Sequence, residues 1–254
     1  MRDNVRILGE TVLKKGDPGL MRIEVEKSIR GHEIGRESGL FRVPQILDYD
    51  ESKGEVVLER IADIRAVRHA VSFDKQYGDV LERVGVALAM IHRKLELPKG
   101  MVEALPDEFV LRGNEVFLHG DFSINNVCVG NESPTIVILD WQMTKVHGGK
   151  ATYGTRYFDL VWFVNNLFSK PFHNYLPGPP VGRGARRFLA GYLGACDVSF
   201  SVREFAAYMK QFYRTKLALR RQSLAWNKRL QLAPGHIFWR MFIDSVASDN
   251  EICG

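Results

Sequence analysis

What this chain of 254 residues lacks narrows the field first. No apolar run approaches the roughly 18 residues needed to cross a bilayer, so no transmembrane segment is expected. Only three cysteines occur, Cys128, Cys196 and Cys253, scattered without metal-ligand spacing. An odd, unpaired set argues against a disulfide framework and for a reducing compartment. Cys128 sits in an apolar run and reads as core. The N-terminus is polar and charged, without an apolar signal region, so a soluble cytoplasmic protein is expected. Charge of one sign is not in large excess: the formal net charge is +5. With no recognised binding motif beside it, that value argues against a nucleic-acid binder. No internal repeat or low-complexity tract occurs. Glycine is sparse at the start, Gly9 being the only one before Gly16.

The apolar share of 45% is ordinary for a globular protein, and the length permits one large domain or two lobes. Val5 to Leu8 and Thr11 to Lys14 read as short strands joined at Gly9-Glu10. Asp17 and Pro18 open a helix running to about Ile34. Val43 to Asp48 and Glu55 to Leu58 read as a second strand pair around Ser52-Lys53-Gly54. From about Ile61 the character turns helical: Leu81, Val84, Leu88, Ile91 and Leu95 recur every three or four residues and form one buried stripe. Residues 141 to 157, rich in Gly, Thr and Lys, read as a surface loop, Tyr157 to Phe168 as a buried helix, and Pro177 to Pro180 as a loop. Ser201 to Glu204 is a capping box opening a helix with Phe205, Met209 and Phe212 on one face.

The chemistry concentrates in Phe117-Leu118-His119-Gly120-Asp121-Phe122-Ser123-Ile124-Asn125-Asn126 and Ile136-Val137-Ile138-Leu139-Asp140-Trp141. Val116 to Leu118, Asn126 to Val129 and Thr135 to Leu139 are β-prone runs, the last two separated by the turn formers Gly130 to Pro134. Such a hairpin carries Asn126 and Asp140 to one edge of a small sheet, with Asp121 on the loop feeding it. Two carboxylates and an amide oxygen side by side make a hard oxygen site suited to magnesium.

An Asp, an Asn five positions on, and a second Asp after a short hairpin are the parts of kinase-type phosphotransferases. The wording His-Gly-Asp, and Leu-Asp-Trp in place of Asp-Phe-Gly, resembles the aminoglycoside phosphotransferase and choline kinase branch over about residues 10 to 165. The resemblance implies an α+β, two-lobed protein kinase-like fold. Residues 1–60 would form a reduced N-terminal nucleotide-binding β lobe, and residues 61–254 a mainly helical C-terminal lobe with the catalytic hairpin and acceptor site. It implies ATP and Mg2+ as cofactors, Asp121 as the residue orienting the attacking hydroxyl, Asn126 and Asp140 as metal ligands, and His119 as an orienting group in the catalytic loop. Lys14 resembles the phosphate-binding lysine and Glu26 its helix partner, with Lys15 and Glu24 as rivals. Strand alternation lets only one of the two lysines face the cleft. The backbone of Glu59, Arg60 and Ile61 would meet the nucleotide base, and Asp159 would brace the loop. One departure stands out: thirteen residues before Lys14 leave room for a single strand, so the phosphate-covering hairpin is short and nucleotide affinity is expected to be weak.

The acceptor implied is a small molecule bearing a hydroxyl. Residues 181 to 254 carry twelve bases and five acids, a net +7. Arg214, Lys216, Arg220, Arg221, Lys228 and Arg229 crowd one helical stretch, either as a solvated face or as a surface that attracts an anion. A neutral or anionic acceptor such as a sugar or glycoconjugate is expected, and peripheral contact with an anionic glycolipid head group is compatible with that charge. An aminoglycoside phosphotransferase and a nucleotide-binding pseudokinase or regulatory module are the alternatives.

Overall fold

The computed structural model of the protein describes residues 4–70, 78–131, 133–144, 149–169, 179–223 and 226–248. Cys253 and the segment 170–178, which includes Pro177 and Gly178, lie outside the described residues. Strands β1 (Val5–Leu8) and β2 (Thr11–Lys15) form an antiparallel hairpin. Helix α1 (Pro18–Ser38) follows, with the Asp17 carboxylate accepting the Leu20 N–H at 3.0 Å. It runs a turn beyond the expected end near Ile34. Gly39 stops it in the left-handed conformation at φ 67°, where a side chain would be strained.

Strand β3 (Phe41–Arg42) comes next, then β4 (Ile46–Asp50) and β5 (Glu55–Glu59). The first sheet runs β1-β2-β5-β4, all antiparallel. Strand β4 starts later than the expected Val43, because Pro44 has no N–H to give a sheet. Met21 and Val25 of α1 pack with Val56 of β5 into a small core under this sheet.

Strand β6 (Ile64–Ala66) and the single turn α2 (Val67–Ala70) lead to α3 (Gly78–Lys94). The expected stripe Leu81, Val84, Leu88, Ile91 and Leu95 is buried throughout. Strands β7 (Glu115–Phe117), β8 (Val127–Gly130), β9 (Ile136–Ile138) and β10 (Tyr153–Thr155) follow. The hairpin β8–β9 sits inside a second sheet of order β3-β9-β8-β6, where β3 pairs in parallel with β9. That pairing ties the early part of the chain directly to the hairpin.

The expected surface loop at 141–157 is corrected at both ends, Trp141 and Met143 being buried at its start. Ala151, Thr152 and Thr155 are buried, and Tyr153–Thr155 pairs with Phe117–Glu115. Thr152 Oγ1 donates to the Met101 carbonyl at 2.6 Å, so its hydroxyl is satisfied in the interior.

Helices α4 (Tyr157–Phe168), α5 (Pro179–Ala195), α6 (Val202–Ser223) and α7 (Trp226–Ser248) complete the second part. Pro179 and Pro180, expected in a loop, form the first turn of α5, where proline's missing N–H has no partner to lose. The Ser201 cap takes the Glu204 N–H at 3.2 Å, and Phe205, Met209 and Phe212 face the core.

Helices α3 and α5 approach closely because glycines meet backbone across the contact. A methyl group at Gly191 would lie 2.0 Å from the Glu82 carbonyl oxygen, and one at Gly85 2.1 Å from that of Phe188. This approach brings His92 of α3 to the Tyr192 hydroxyl of α5 at 2.9 Å. Gly191→Ala is therefore expected to destabilise the fold by about 1–3 kcal/mol through overpacking. Urea unfolding measures this; an unchanged midpoint would show that the two helices separate without cost.

Candidate active site

The loop from Leu118 to Asn126 hangs on one carboxylate. Asp159, in the first turn of α4, is fully buried. It accepts the His119 N–H at 2.8 Å, the Gly120 N–H at 2.9 Å, and lies 3.1 Å from His92 Nε2. Burial works to raise its pKa, but hydrogen bonds from His92 and Gly120 outweigh this and keep it below the usual carboxylate range. The charge is thus matched by donors aimed at it, and the backbone at His119 and Gly120 is fixed.

His119 is fully buried between Phe122 and Trp141, its ring 4.6 Å from the Trp141 ring. Burial pushes its pKa down to about 3, so the imidazole is neutral. Its Nδ1 accepts the Asp121 N–H at 3.3 Å. Such a group fixes the loop backbone and keeps one ring proton, on Nε2, at any pH well above 3.

Asp121 follows on the cleft side. Its Oδ2 accepts Asn126 Nδ2 at 2.9 Å and its Oδ1 accepts the Trp162 indole N–H at 2.6 Å. Burial pushes its pKa up to about 6, against the pull of those two donors. Above that pH it is a carboxylate of raised basicity, the form that can take a hydroxyl proton. Asn126 commits its amide nitrogen to Asp121, which leaves its amide oxygen as the acceptor available to a cation.

Asp140 ends the β8–β9 hairpin with φ 56°, an uncommon conformation for a residue other than glycine. The Leu139 N–H to Asn126 carbonyl bond, 2.8 Å, holds the two ends of the hairpin together. Asp140 Oδ1 accepts Lys14 Nζ at 2.7 Å. The second lysine, Lys15, points the other way and pairs with Glu55 at 2.5 Å, as strand alternation requires.

The helix partner of Lys14 is Glu24, at 2.5 Å, and not Glu26. Glu26 lies on an outer face of α1 and pairs with Arg30 one turn on. The helix is rotated so that Glu24 and Lys27, three residues apart, share the inward face. Burial alone would lower the Lys14 pKa, but Glu24 and Asp140 together raise it, so the ammonium stays charged. Burial raises that of Glu24, opposed by Lys14.

Lys27 is a residue the sequence reading did not single out. It is fully buried and donates to the His119 carbonyl at 2.5 Å. One turn on, Gly31 leaves room for Trp141, whose ring would lie 2.4 Å from a methyl group there. The signal was present in the pattern Met21, Glu24, Lys27, Ser28, Gly31: a helix face at the right spacing to be buried, but made of charged and small residues.

Lys14, Glu24, Asn126 and Asp140 line one end of a cleft of about 490 Å³. Its other walls are Val12, Leu58, Ile64 and Leu139, with Glu59, Arg60 and Ile61 along one side. The side chains of Glu59 and Arg60 are engaged elsewhere: Glu59 accepts Arg42 at 2.8 Å, and Arg60 donates to the Gly9 carbonyl at 2.9 Å. The backbone N–H groups of Glu59 and Arg60 are committed as well, to the Gln45 and Glu10 carbonyls at 2.9 Å each. An apolar slot ending in a lysine and an oxygen donor pair suits a flat base carrying a polyphosphate. Among the described residues no group of three or more His, Cys, Asp or Glu gathers as a metal cage. Asn126 and Asp140 offer two oxygens, which fits magnesium, since that ion takes its remaining ligands from phosphates and water. A second cavity of about 450 Å³ opens on Asp121 and Asp140 from the other side, between Asp17, Leu20, Met143 and Thr144.

Residues 94–205 match the family described as the phosphotransferase enzyme family. No curated protein matches the chain. Among solved structures, a glucosamine kinase is similar over 95% of this chain and 76% of its own, with TM-score 0.64 and 13% identity. A choline/ethanolamine kinase family protein from Mesorhizobium loti is similar over 96% and 89%, with TM-score 0.55 and 12% identity. The GDP complex of an aminoglycoside 2'-phosphotransferase of type IIIa is similar over 96% and 91%, with TM-score 0.56 and 13% identity. The likenesses show the protein kinase-like fold that the wording from His119 to Asp140 implied, and the match over residues 94–205 agrees with the family resemblance drawn from it.

Lys27 gives a test through pH. Burial holds its pKa down to about 8, against an ordinary 10.5. Between these values the unfolded chain binds the proton and the folded chain does not, so stability rises with pH across that window. The stability difference between wild type and Lys27→Met is expected to shift toward wild type by up to about 3 kcal/mol from pH 7.5 to pH 10. Urea unfolding at the two pH values reads it; a difference independent of pH would mean that Lys27 is not buried as an ammonium.

Proposed function

We propose that this chain, whose phosphotransferase-family segment carries Asp121, Asn126, Asp140 and Asp159, transfers the γ-phosphoryl group of ATP to a hydroxyl of a small molecule. The observation that carries this reading is that the pair Asp121–Asn126, 2.9 Å, and the pair Lys14–Asp140, 2.7 Å, meet where two cavities adjoin, one lined by Lys14, Asn126 and Asp140 and the other by Lys14, Asp121 and Asp140. A nucleotide-binding module without transfer has no task for a loop carboxylate held at raised basicity.

In the proposed step the acceptor oxygen bonds to the γ-phosphorus as the bond from that phosphorus to the bridging oxygen breaks, releasing ADP. Asp121 holds the hydroxyl in line and takes its proton as the new bond forms. Asn126 and Asp140 are the residues that would hold magnesium, which when bound neutralises phosphate charge. Lys14, kept in place by Glu24, steadies the phosphates. Catalysis is then chiefly positioning and charge stabilisation, with Asp159 and Lys27 supplying the rigidity.

The acceptor proposed is neutral or anionic, a sugar or glycoconjugate. The likeness to a glucosamine kinase supports a sugar-sized hydroxyl acceptor. The net +7 of residues 181–254 supports exclusion of polycations. Of that basic set, Arg183, Arg203, Arg214 and Arg240 are exposed, whereas Lys216 is buried. The side chains of Arg220, Arg221, Lys228 and Arg229 lie outside the described residues.

Two substitutions separate the roles. Asp121→Asn is expected to lower turnover by about 100-fold or more while leaving magnesium-ATP affinity within about twofold, because only the proton acceptor is lost. Asp140→Asn is expected to weaken magnesium-ATP binding by about tenfold or more, because a metal ligand is lost. Calorimetry with magnesium-ATP, alongside ATP-consumption assays on sugars, sugar acids and kanamycin-like aminoglycosides, decides both points. Equal binding losses in the two variants would contradict the roles, and strong aminoglycoside phosphorylation would contradict the acceptor class.

A further inference from the structure

The proposed base is held from a direction that the loop itself does not supply. Trp162 lies one turn beyond Asp159 on α4, so the helix that braces the loop backbone also reaches the reactive carboxylate. Its indole N–H donates to Asp121 Oδ1 at 2.6 Å, a short bond of the kind a charged acceptor gives. The same indole carries a cation on its face. Lys216 of α6 places its ammonium 4.3 Å from the centre of the Trp162 ring. It is 6% exposed, bonds to Asn165 Oδ1 on α4, and lies 5.8 Å from the Phe212 ring centre. The Phe212 ring packs edge-on against Trp162, the two ring centres 6.1 Å apart.

These contacts form one line: ammonium, indole face, indole N–H, carboxylate. A cation over an aromatic face draws electron density toward it. Density drawn from the ring leaves the N–H more positive and makes it a stronger donor. A buried ammonium in an apolar setting is costly, and an apolar side chain of the same length would fill the space without that cost. The Lys216 ammonium bonds to Asn165 and also lies over the indole face, so its charge acts on the ring that holds Asp121.

We propose that Trp162 is a positioning residue for Asp121, and that Lys216 sets the strength of its hold through the indole ring. The inference rests on Asp121 being the proton acceptor of the proposed transfer. It adds that one carboxylate oxygen is fixed by Trp162 from α4 and the other by Asn126 from the loop, so the carboxylate plane is set before any acceptor arrives. A hydroxyl then meets a base already oriented, and the chain's basic α6 contributes to catalysis through a ring and not by touching substrate.

The test has one arm that needs no activity. The chain has four tryptophans, so an ¹⁵N-tryptophan-labelled sample gives few indole N–H signals, and the one lost in Trp162→Phe is that of Trp162. That signal is expected far downfield in the full chain, to move upfield in Asp121→Asn, and to move upfield by a smaller step in Lys216→Met. Lys216→Arg, which keeps a cation over the ring, is expected to leave it near the wild-type position. A signal that ignores Lys216→Met while the variant keeps its melting temperature overturns the proposal.

The second arm is a double-mutant cycle on turnover, with ATP hydrolysis as the readout if no acceptor is in hand. Trp162→Phe keeps the ring and removes the N–H. It is expected to lower kcat by about 10- to 100-fold, the worth of one hydrogen bond to a charged group, with magnesium-ATP affinity unchanged. Lys216→Met is expected to lower kcat several-fold alone and by nothing further in the Trp162→Phe background. Additive losses overturn the relay, and an unchanged kcat in Trp162→Phe overturns the positioning role. Failure of the wild type to turn over ATP at all would instead count against the phosphotransfer reading, while the indole signal still decides whether Lys216 acts through Trp162 on Asp121.

Discussion

A carboxylate with no exposed surface has to be met by donors, and the donors that meet Asp159 are the backbone of the reactive loop. His119 and Gly120 give it their N–H groups, and His92, itself against Tyr192, gives the third contact. Leaving any of these unpaired in the interior would cost on the order of 1–3 kcal/mol. The loop is therefore fixed as a condition of the fold, before any ligand is considered. The close approach of α3 and α5 serves that arrangement, since it places His92 and Tyr192 together.

The second support comes from the opposite side. Helix α1 presents Glu24 and Lys27 on one inward face, and each reaches a different part of the site. Glu24 meets Lys14 on β2; Lys27 meets the carbonyl of His119. A single helix thus joins Lys14 to the loop carrying the proposed base. Its burial of charge is expensive, and Lys27 in particular is pushed toward neutrality by its surroundings. Trp141, the residue after Asp140, is seated over Gly31 and against His119 and fills the space between helix and loop.

What could be read from sequence follows from what is local. Asp121, Asn126 and Asp140 lie within twenty residues of one another, and their meeting depends only on a hairpin that turn formers and apolar strands announce. Lys14 over Lys15 depends on which face of β2 turns inward, again a local periodicity once the strand is placed. Glu24 against Glu26 depends on how α1 is rotated against the first sheet, which carries Lys14, and the helix's own pattern does not contain that. Lys27 reads as a surface charge until the helix is seen to bury it. Trp162 and Lys216 belong to helices whose crossing was not anticipated, and Lys216 was hidden in a basic run that reads as a solvated face. Strand β3 is two residues long and exists only because β9 lies beside it. The segment 151–155 reads as loop because Thr and Gly favour turns, whereas here one threonine hydroxyl finds a buried carbonyl and one glycine packs against Leu105.

The central claim is that Asn126, Asp140 and Lys14 form a site for a metal-bound nucleotide at the foot of the cleft. Electron paramagnetic resonance with manganese in place of magnesium tests it most directly. The account predicts little bound manganese with protein alone, because the chain offers only two oxygens. It predicts an immobilised manganese signal when ATP is added to the wild type, and loss of that signal in Asp140→Asn. Manganese that binds equally with and without ATP, or an ATP-dependent signal that survives Asp140→Asn unchanged, would contradict it.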